Sequence, residues 1–72
     1  MTQTSQSNHI ILRRKQVEAR TGLSRSTIYA RIAENKFPHP ISLGSSRGAV
    51  GWVEAEIDAW IKERIASRHD KR

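Results

Sequence analysis

The stretch Thr21-Gly22-Leu23-Ser24-Arg25-Ser26-Thr27-Ile28-Tyr29-Ala30-Arg31-Ile32 decides how the chain folds. Thr21 and Gly22 close one short helical pattern, and glycine readily takes the left-handed conformation that ends many helices. Leu23 is placed to face inward from the turn. Ser24 is a good N-cap for the next helix, because its hydroxyl can satisfy an orphan backbone N–H. Beyond it Ile28 and Ile32 stand four residues apart on one face, while Ser26, Ala30 and Ala33 fall on the opposite face. Arg25 and Tyr29 lie on the border between the two. A narrow apolar stripe with small and polar residues outward suits a helix that enters a groove. The pattern predicts the turn and second helix of a helix-turn-helix.

Working outward from that stretch, 72 residues allow one small domain, with too little core to fold and also shape a deep catalytic cavity. The absence of cysteine excludes both a disulfide scaffold and a cysteine-ligated zinc site. Apolar residues are 36% of the chain, and no run of them approaches membrane-spanning length. Met1 to Asn8 is polar and uncharged, unlike the charged and then apolar segments of a signal peptide. A soluble cytoplasmic protein is the expectation.

The net charge of +6 is unevenly spread. Residues 1–50 hold eight basic side chains (Arg13, Arg14, Lys15, Arg20, Arg25, Arg31, Lys36, Arg47) against two acids, Glu18 and Glu34, which accounts for all of it. Residues 51–72 hold five bases and five acids and cancel. A basic face attracts phosphates and speeds encounter with a polyanion. The alternative is a solvated, solubilising surface. A recognition-helix pattern in the same half favours nucleic acid.

Taken in order, Met1 to His9 reads as a flexible tail, too polar to join a core. Ile10-Ile11-Leu12 is a short apolar run, either an extended segment or a lead-in packing on the first helix. That helix is expected over Arg14 to Arg20, with Val17 and Ala19 inward. Arg13, Arg14 and Lys15 crowd its start, where the helix dipole disfavours positive charge by some tenths of a kcal/mol each. Phosphate contact would explain their placement; mere exposure is the alternative. The second helix is expected from Arg25 to Glu34 or Asn35, stopped by Phe37-Pro38, with Phe37 an aromatic lid on the core. Pro38-His39-Pro40 holds the chain extended. Ile41-Ser42-Leu43 and Ala49-Val50-Gly51-Trp52 read as two strands, joined by the turn Gly44-Ser45-Ser46-Arg47-Gly48 into a hairpin. With Arg47 near its tip, the hairpin resembles a wing that touches DNA, unless it is purely structural.

The third helix carries Val53, Ile57, Trp60, Ile61 and Ile65 at helical spacing in one apolar stripe. Glu54, Glu56 and Asp58 lie in its first turns and Lys62, Arg64 and Arg68 in its later ones, as the dipole prefers. Those acids would repel phosphate, so this helix is expected to be scaffold, with Trp52 and Trp60 supplying much of the packed area. The last residues, Ser67 to Arg72, are expected to fray. His9, His39 and His69 lack the close spacing of a zinc site. Paired buried carboxylates and phosphate-cradling glycine loops are likewise missing from the pattern. Ser24 and Ser26 serve better as cap and groove contact than as nucleophiles. Neither enzyme activity, a metal nor a cofactor is expected.

Three blocks carry a resemblance: Thr21 to Tyr29, Phe37 to Gly44 (Phe-Pro-His-Pro-Ile-Ser-Leu-Gly), and Val50 to Ile61 (Val-Gly-Trp-Val-Glu-Ala-Glu-Ile-Asp-Ala-Trp-Ile). Together they resemble the AlpA family of small phage and prophage transcriptional regulators, over roughly residues 10–66. The resemblance implies a fold related to excisionases and to the MerR-type winged helix. It also implies a DNA-binding regulator tied to integrase expression or prophage excision. Ser24 to Tyr29 match the start of that family's recognition helix, and Ser45 to Gly48 its wing. Arg14 and Lys15 stand where family members often have an apolar residue and a proline.

The chain is therefore read as mostly α with a small β-hairpin: a winged helix-turn-helix of three helices and a two-stranded wing. Residues 1–9 form a tail, 10–66 the DNA-binding domain, and 67–72 a basic C-terminal tail. The second helix would enter the major groove of double-stranded DNA, with Arg25, Ser26 and Tyr29 nearest the bases and Ser24, Thr27 and Ala30 beside them. Arg13, Arg14, Lys15, Arg31 and Lys36 are candidates for phosphate, and Arg47 for the wing contact. The rival class is a protein-interaction adaptor docking on an integrase or other recombinase through the third helix. A module this small has a limited footprint, which makes self-association on DNA a further expectation.

Overall fold

A computed structural model of the chain describes residues 9–44 and 46–68. Ser45, His69 and the N-terminal tail up to Asn8, together with the end of the C-terminal tail, lie outside the described residues. The order of elements is β1 (Ile11–Leu12), α1 (Arg14–Thr21), α2 (Arg25–Ala33), β2 (Ile41–Ser42), β3 (Val50–Val53) and α3 (Glu54–Ser67).

The junction of α1 and α2 forms as its residues dictate. Gly22 is left-handed at φ 76°, and its N–H donates to the Glu18 carbonyl at 2.8 Å. Thr21 Oγ1 donates back to the Val17 carbonyl at 2.8 Å and accepts from the Leu23 N–H at 3.2 Å. Ser24 then caps α2, its Oγ accepting from the Thr27 N–H at 3.2 Å. Thus three residues turn the chain between the two helices.

The other end of α2 departs from expectation. The helix stops at Ala33, before Phe37-Pro38 can act on it, because Asn35 adopts the left-handed conformation at φ 59°. The Asn35 N–H donates to the Ile32 carbonyl at 2.9 Å and the Lys36 N–H to the Arg31 carbonyl at 2.8 Å. Asparagine tolerates that geometry better than other residues with a Cβ, and the paired bonds satisfy the last carbonyls.

The sheet is antiparallel and three-stranded, in the order β1-β3-β2, where a two-stranded hairpin was expected. Ile41 pairs Gly51 and Ser42 pairs Val50, as a hairpin requires. In addition Ile11 pairs Val53 and Leu12 pairs Trp52, so the lead-in segment is extended and belongs to the sheet. Gly51 makes the close approach of β1 feasible: a Cβ there would collide with Ile11 Cγ2 and lie 3.2 Å from the Leu12 carbonyl oxygen. The Glu54 N–H donates to the Ile10 carbonyl at 2.8 Å, which ties the start of α3 to the same strand.

The core is Leu12, Val17, Ile28, Phe37, Trp52 and Ile57, with Leu23, Ile32, Val50, Trp60 and Ile61 packed around it. Trp52 is fully buried, and its Nε1 donates to the Pro38 carbonyl at 3.0 Å. Trp60 lies at the edge, its ring crossing Phe37 at 4.8 Å between centroids and its Nε1 donating to the Lys36 carbonyl at 3.0 Å. Ala19 and Ile65 were expected inward and are exposed. On so short a helix as α1 one residue, Val17, suffices to reach the core, and α3 outruns the core at its C-terminal end. Val53 belongs to β3, ahead of the α3 stripe.

Candidate nucleic-acid interface

Three elements bring five of the expected contact residues together. Arg13, Arg14 and Lys15 at the start of α1, Tyr29 from α2, and Arg47 with Gly48, Ala49 and Val50 from the hairpin line a single concavity. These residues are far apart in sequence, and the β3 pairing with β1 is what closes the hairpin against α1. Arg13 secures that closure: its Nε donates to the Val50 carbonyl at 3.1 Å. Its backbone N–H donates to Gln16 Oε1 at 2.8 Å. Gln16 went unremarked in the sequence, although a Gln three residues past a helix start is half of a capping box.

The cations here differ in how far the fold already uses them. Arg13 has the structural role just described, which supplies a local reason for its placement beyond phosphate contact. Arg14 Nε bonds Glu18 Oε2 at 3.0 Å across one helical turn. Lys15 is exposed. Arg47 is exposed on the loop between β2 and β3. None of the lining side chains among the described residues is acidic.

Next to this concavity runs the outer face of α2. Ser26, Ala30 and Ala33 are exposed, as the helical spacing requires, and Ser26, Thr27, Ala30, Arg31 and Glu34 line a shallow groove along it. Arg25 stacks over the Tyr29 ring at 5.7 Å, and Tyr29 meets Trp52 edge-on at 6.3 Å between centroids. The aromatic pair therefore links the α2 surface to the fully buried Trp52. Such stacking orients the Arg25 guanidinium without neutralising it. Ser24 Oγ is engaged with the Thr27 N–H and with Thr27 Oγ1 at 3.0 Å, so both hydroxyls are committed to the cap.

Two expected phosphate candidates lie outside the concavity. Lys36 stands beyond the C-terminal end of α2, in a groove shared with Trp60, Glu56 and Glu63 of α3, and its Nζ is 3.9 Å from Glu34 Oε1. Arg31 is half-buried between that groove and the outer face of α2, and its Nε is buried with no hydrogen-bond partner among the described residues. Arg20, counted with the basic half of the sequence, faces α3 instead: it bonds Glu54 at 2.8 Å and reaches Asp58 at 3.8 Å. Among the described residues no group of three or more His, Cys, Asp or Glu could hold a metal ion. No described helix is long and apolar enough to cross a membrane.

The family model described as Prophage CP4-57 regulatory protein (AlpA) matches residues 10–65, which span all six elements except the last two residues of α3. The chain belongs to the AlpA family. Among its relatives, the DNA-binding transcriptional activator AlpA of Escherichia coli strain K12 is 40% identical over 60 residues, 75% of this chain and 83% of that protein. An uncharacterized protein of Enterobacteria phage P4, ORF88, is 49% identical over 47 residues, 65% of this chain. That match spans about half the phage protein's length, 51%. The AlpA-family match takes in the α1–α2 turn, the hairpin and the tryptophan pair together, so the frame that gathers the basic side chains lies wholly within it.

Proposed function

We propose that this chain is a sequence-specific regulator that binds double-stranded DNA as a winged helix-turn-helix. The observation that carries the proposal is the gathering of Arg13, Arg14, Lys15, Tyr29 and Arg47 around one concavity beside the small-residue face of α2. A helix about 10–12 Å across fits a major groove about 12 Å wide, and small outward residues let its backbone approach the base edges. In this reading Arg25, Ser26 and Tyr29 reach bases, with Thr27 and Ala30 beside them. Arg14 and Lys15 take phosphates on one flank of the groove, Arg47 reaches from the hairpin loop as a wing, and Arg31 takes phosphate along α2. Arg13 and Ser24 hold the frame, and Lys36 drops out because acids surround it. The E. coli relative, a DNA-binding transcriptional activator, supports the same class of function. Control of integrase expression or of excision is the finer placement, supported by family resemblance.

Footprinting on DNA flanking the gene would supply the site, and a salt titration of the full chain on that duplex tests the mode. Each phosphate neutralised should contribute about −0.9 to the slope of log K against log salt, so several contacts give a slope of several units. Binding to the site should exceed binding to random duplex by about a thousandfold or more. A complex indifferent to salt would overturn this reading in favour of an adaptor that docks on a recombinase through α3.

A further inference from the structure

A second groove lies at the opposite end of α1 from the basic concavity. Arg20 and Thr21 of α1 form one wall, and Ile61, Arg64, Ile65 and Arg68 of α3 the other. The apolar stripe of α3 is longer than the core it serves. Ile57 is fully buried, Ile61 is half-buried, and Ile65 is 49% exposed, the most of any large apolar side chain on the three helices among the described residues. Two isoleucines four residues apart thus stand side by side on one helix face, the outer one half open to solvent. Around them the groove is lined by three arginines and, among the described residues, by no acid. Those arginines are not equally committed. Arg20 is held by Glu54 at 2.8 Å and by Asp58 at 3.8 Å. Arg64 stacks over the Trp60 ring at 5.7 Å, which orients its guanidinium and leaves the charge in place. Arg68 is exposed at the end of α3. Neither Arg64 nor Arg68 has a carboxylate partner among the described residues.

We infer that this groove docks an acidic amphipathic helix of another protein, its aliphatic face on Ile61 and Ile65 and its carboxylates on Arg64 and Arg68. Charge and apolar surface select this occupant together. A carboxylate meets a guanidinium with two parallel hydrogen bonds, and a helix brings aliphatic and acidic side chains to the same strip. Nucleic-acid phosphates would satisfy the arginines and leave the isoleucines uncovered. A second copy of this chain matches badly. Its other exposed large aliphatics, Ile10, Ile41 and Leu43, fall within residues 1–17 and 35–53, stretches that contain no acid. The chain's own ends do not supply the segment either: residues 1–8 hold no acid, and residues 69–72 hold one acid against two bases. The contact is small and belongs to the weak, transient class. The groove shares no residue with the concavity proposed for DNA, so the inference does not depend on that reading.

Amide NMR of the isotope-labelled full chain tests it, by titration with a synthetic helical peptide of about three turns, leucines along one face and glutamates on both sides of them. The shifts should saturate and centre on Thr21, Ile61, Ile65 and Arg68. The same peptide with every glutamate replaced by glutamine should bind at least about tenfold more weakly. Ile65→Ser and Arg68→Ala change exposed positions, and unaltered amides away from the groove will show that both variants are folded. Each should weaken the acidic peptide by about fivefold, one through lost apolar contact and the other through a lost ion pair. Ile65→Ser that binds as tightly as wild type would reduce the contact to bare charge attraction and overturn the inference. Shifts centred on Arg13, Lys15 and Arg47, or no saturable shift at millimolar peptide, would overturn it too. A short DNA duplex that moves the groove amides more than the peptide does would give the groove to nucleic acid instead. Concentration-dependent shifts there without peptide would give it to a second copy, and either result would overturn the assignment.

Discussion

The two ends of α1 carry the same kind of charge and put it to opposite uses. At the N-terminal end, Arg14 and Lys15 share a concavity with Tyr29 and Arg47. At the C-terminal end, Arg20 turns to α3 and bonds Glu54 at 2.8 Å. The helix separating them has eight residues, about 12 Å of rise. Neighbourhood along the chain therefore does not say which cations a polyanion can use; the acids packed against each one do. Counting charge by halves of the sequence assigns Arg20 to the basic surface, and folding removes it by bringing up the acidic start of α3. The same pairing relieves those acids, so α3 is held against α1 by a charge that takes no part in the basic concavity.

This contrast requires a frame that keeps the hairpin against α1 and α2, and Trp52 is its centre. It pairs with Leu12 in the sheet, meets Tyr29 edge-on and donates to the Pro38 carbonyl. Trp52→Ala should cost about 3–5 kcal/mol, enough to unfold a domain this small. Trp60, half-exposed at the edge, should cost about 1–3 kcal/mol on the same change and leave a folded protein of lower Tm. Thermal unfolding of the two variants checks this. Equal losses would mean that the basic end leans no harder on the core than the α3 end does.

Much of this frame could be read before the fold was seen. Ser24 as cap, Gly22 as left-handed terminator, the hairpin strands and the α3 stripe around Ile57 follow from local geometry, in which spacing and residue type act over a few positions. Elements that depend on remote partners could not be read that way. Ile11 and Leu12 make a strand because β3 offers them a free edge, and two apolar residues carry no period to announce it. Asn35 ends α2 in a conformation that glycine would have signalled more strongly. Ile65 fits the stripe by spacing yet lies past the end of the core. The candidate interface divides in the same manner: α2's outward residues were legible from periodicity, whereas Arg13's bond to Val50 and Arg20's turn toward α3 arise only on closure.

Arg25 probes the side of the comparison that faces outward. If it reads a base, Arg25→Ala should weaken binding to the specific duplex by about 1–3 kcal/mol and relax preference at one position. Its stack on Tyr29, at 5.7 Å, gives Tyr29→Ala a smaller effect in the same direction. Competition titrations against random duplex distinguish the roles. An equal loss on specific and random DNA would reduce Arg25 to a phosphate contact.

The smallest effects test the comparison most directly, by removing one charge from each end of α1. Lys15 is exposed at the N-terminal end, so Lys15→Ala should leave stability within about 0.5 kcal/mol. It should nevertheless flatten the slope of log K against log salt by about 0.9, the share of one phosphate contact. Arg20→Ala should do the reverse. It breaks a partly exposed ion pair with Glu54, which is worth at most about 1 kcal/mol of stability. The salt slope should stay at its wild-type value, because the lost charge was already neutralised within the fold and faces away from the concavity. Both variants change the net charge by the same single unit, so a non-specific loss of attraction would move both slopes together. Parallel slopes in the two variants would show that binding follows total charge and that the ends of α1 are equivalent. A flattened slope for Lys15→Ala alone would locate phosphate at the N-terminal end and assign Arg20 to holding α3.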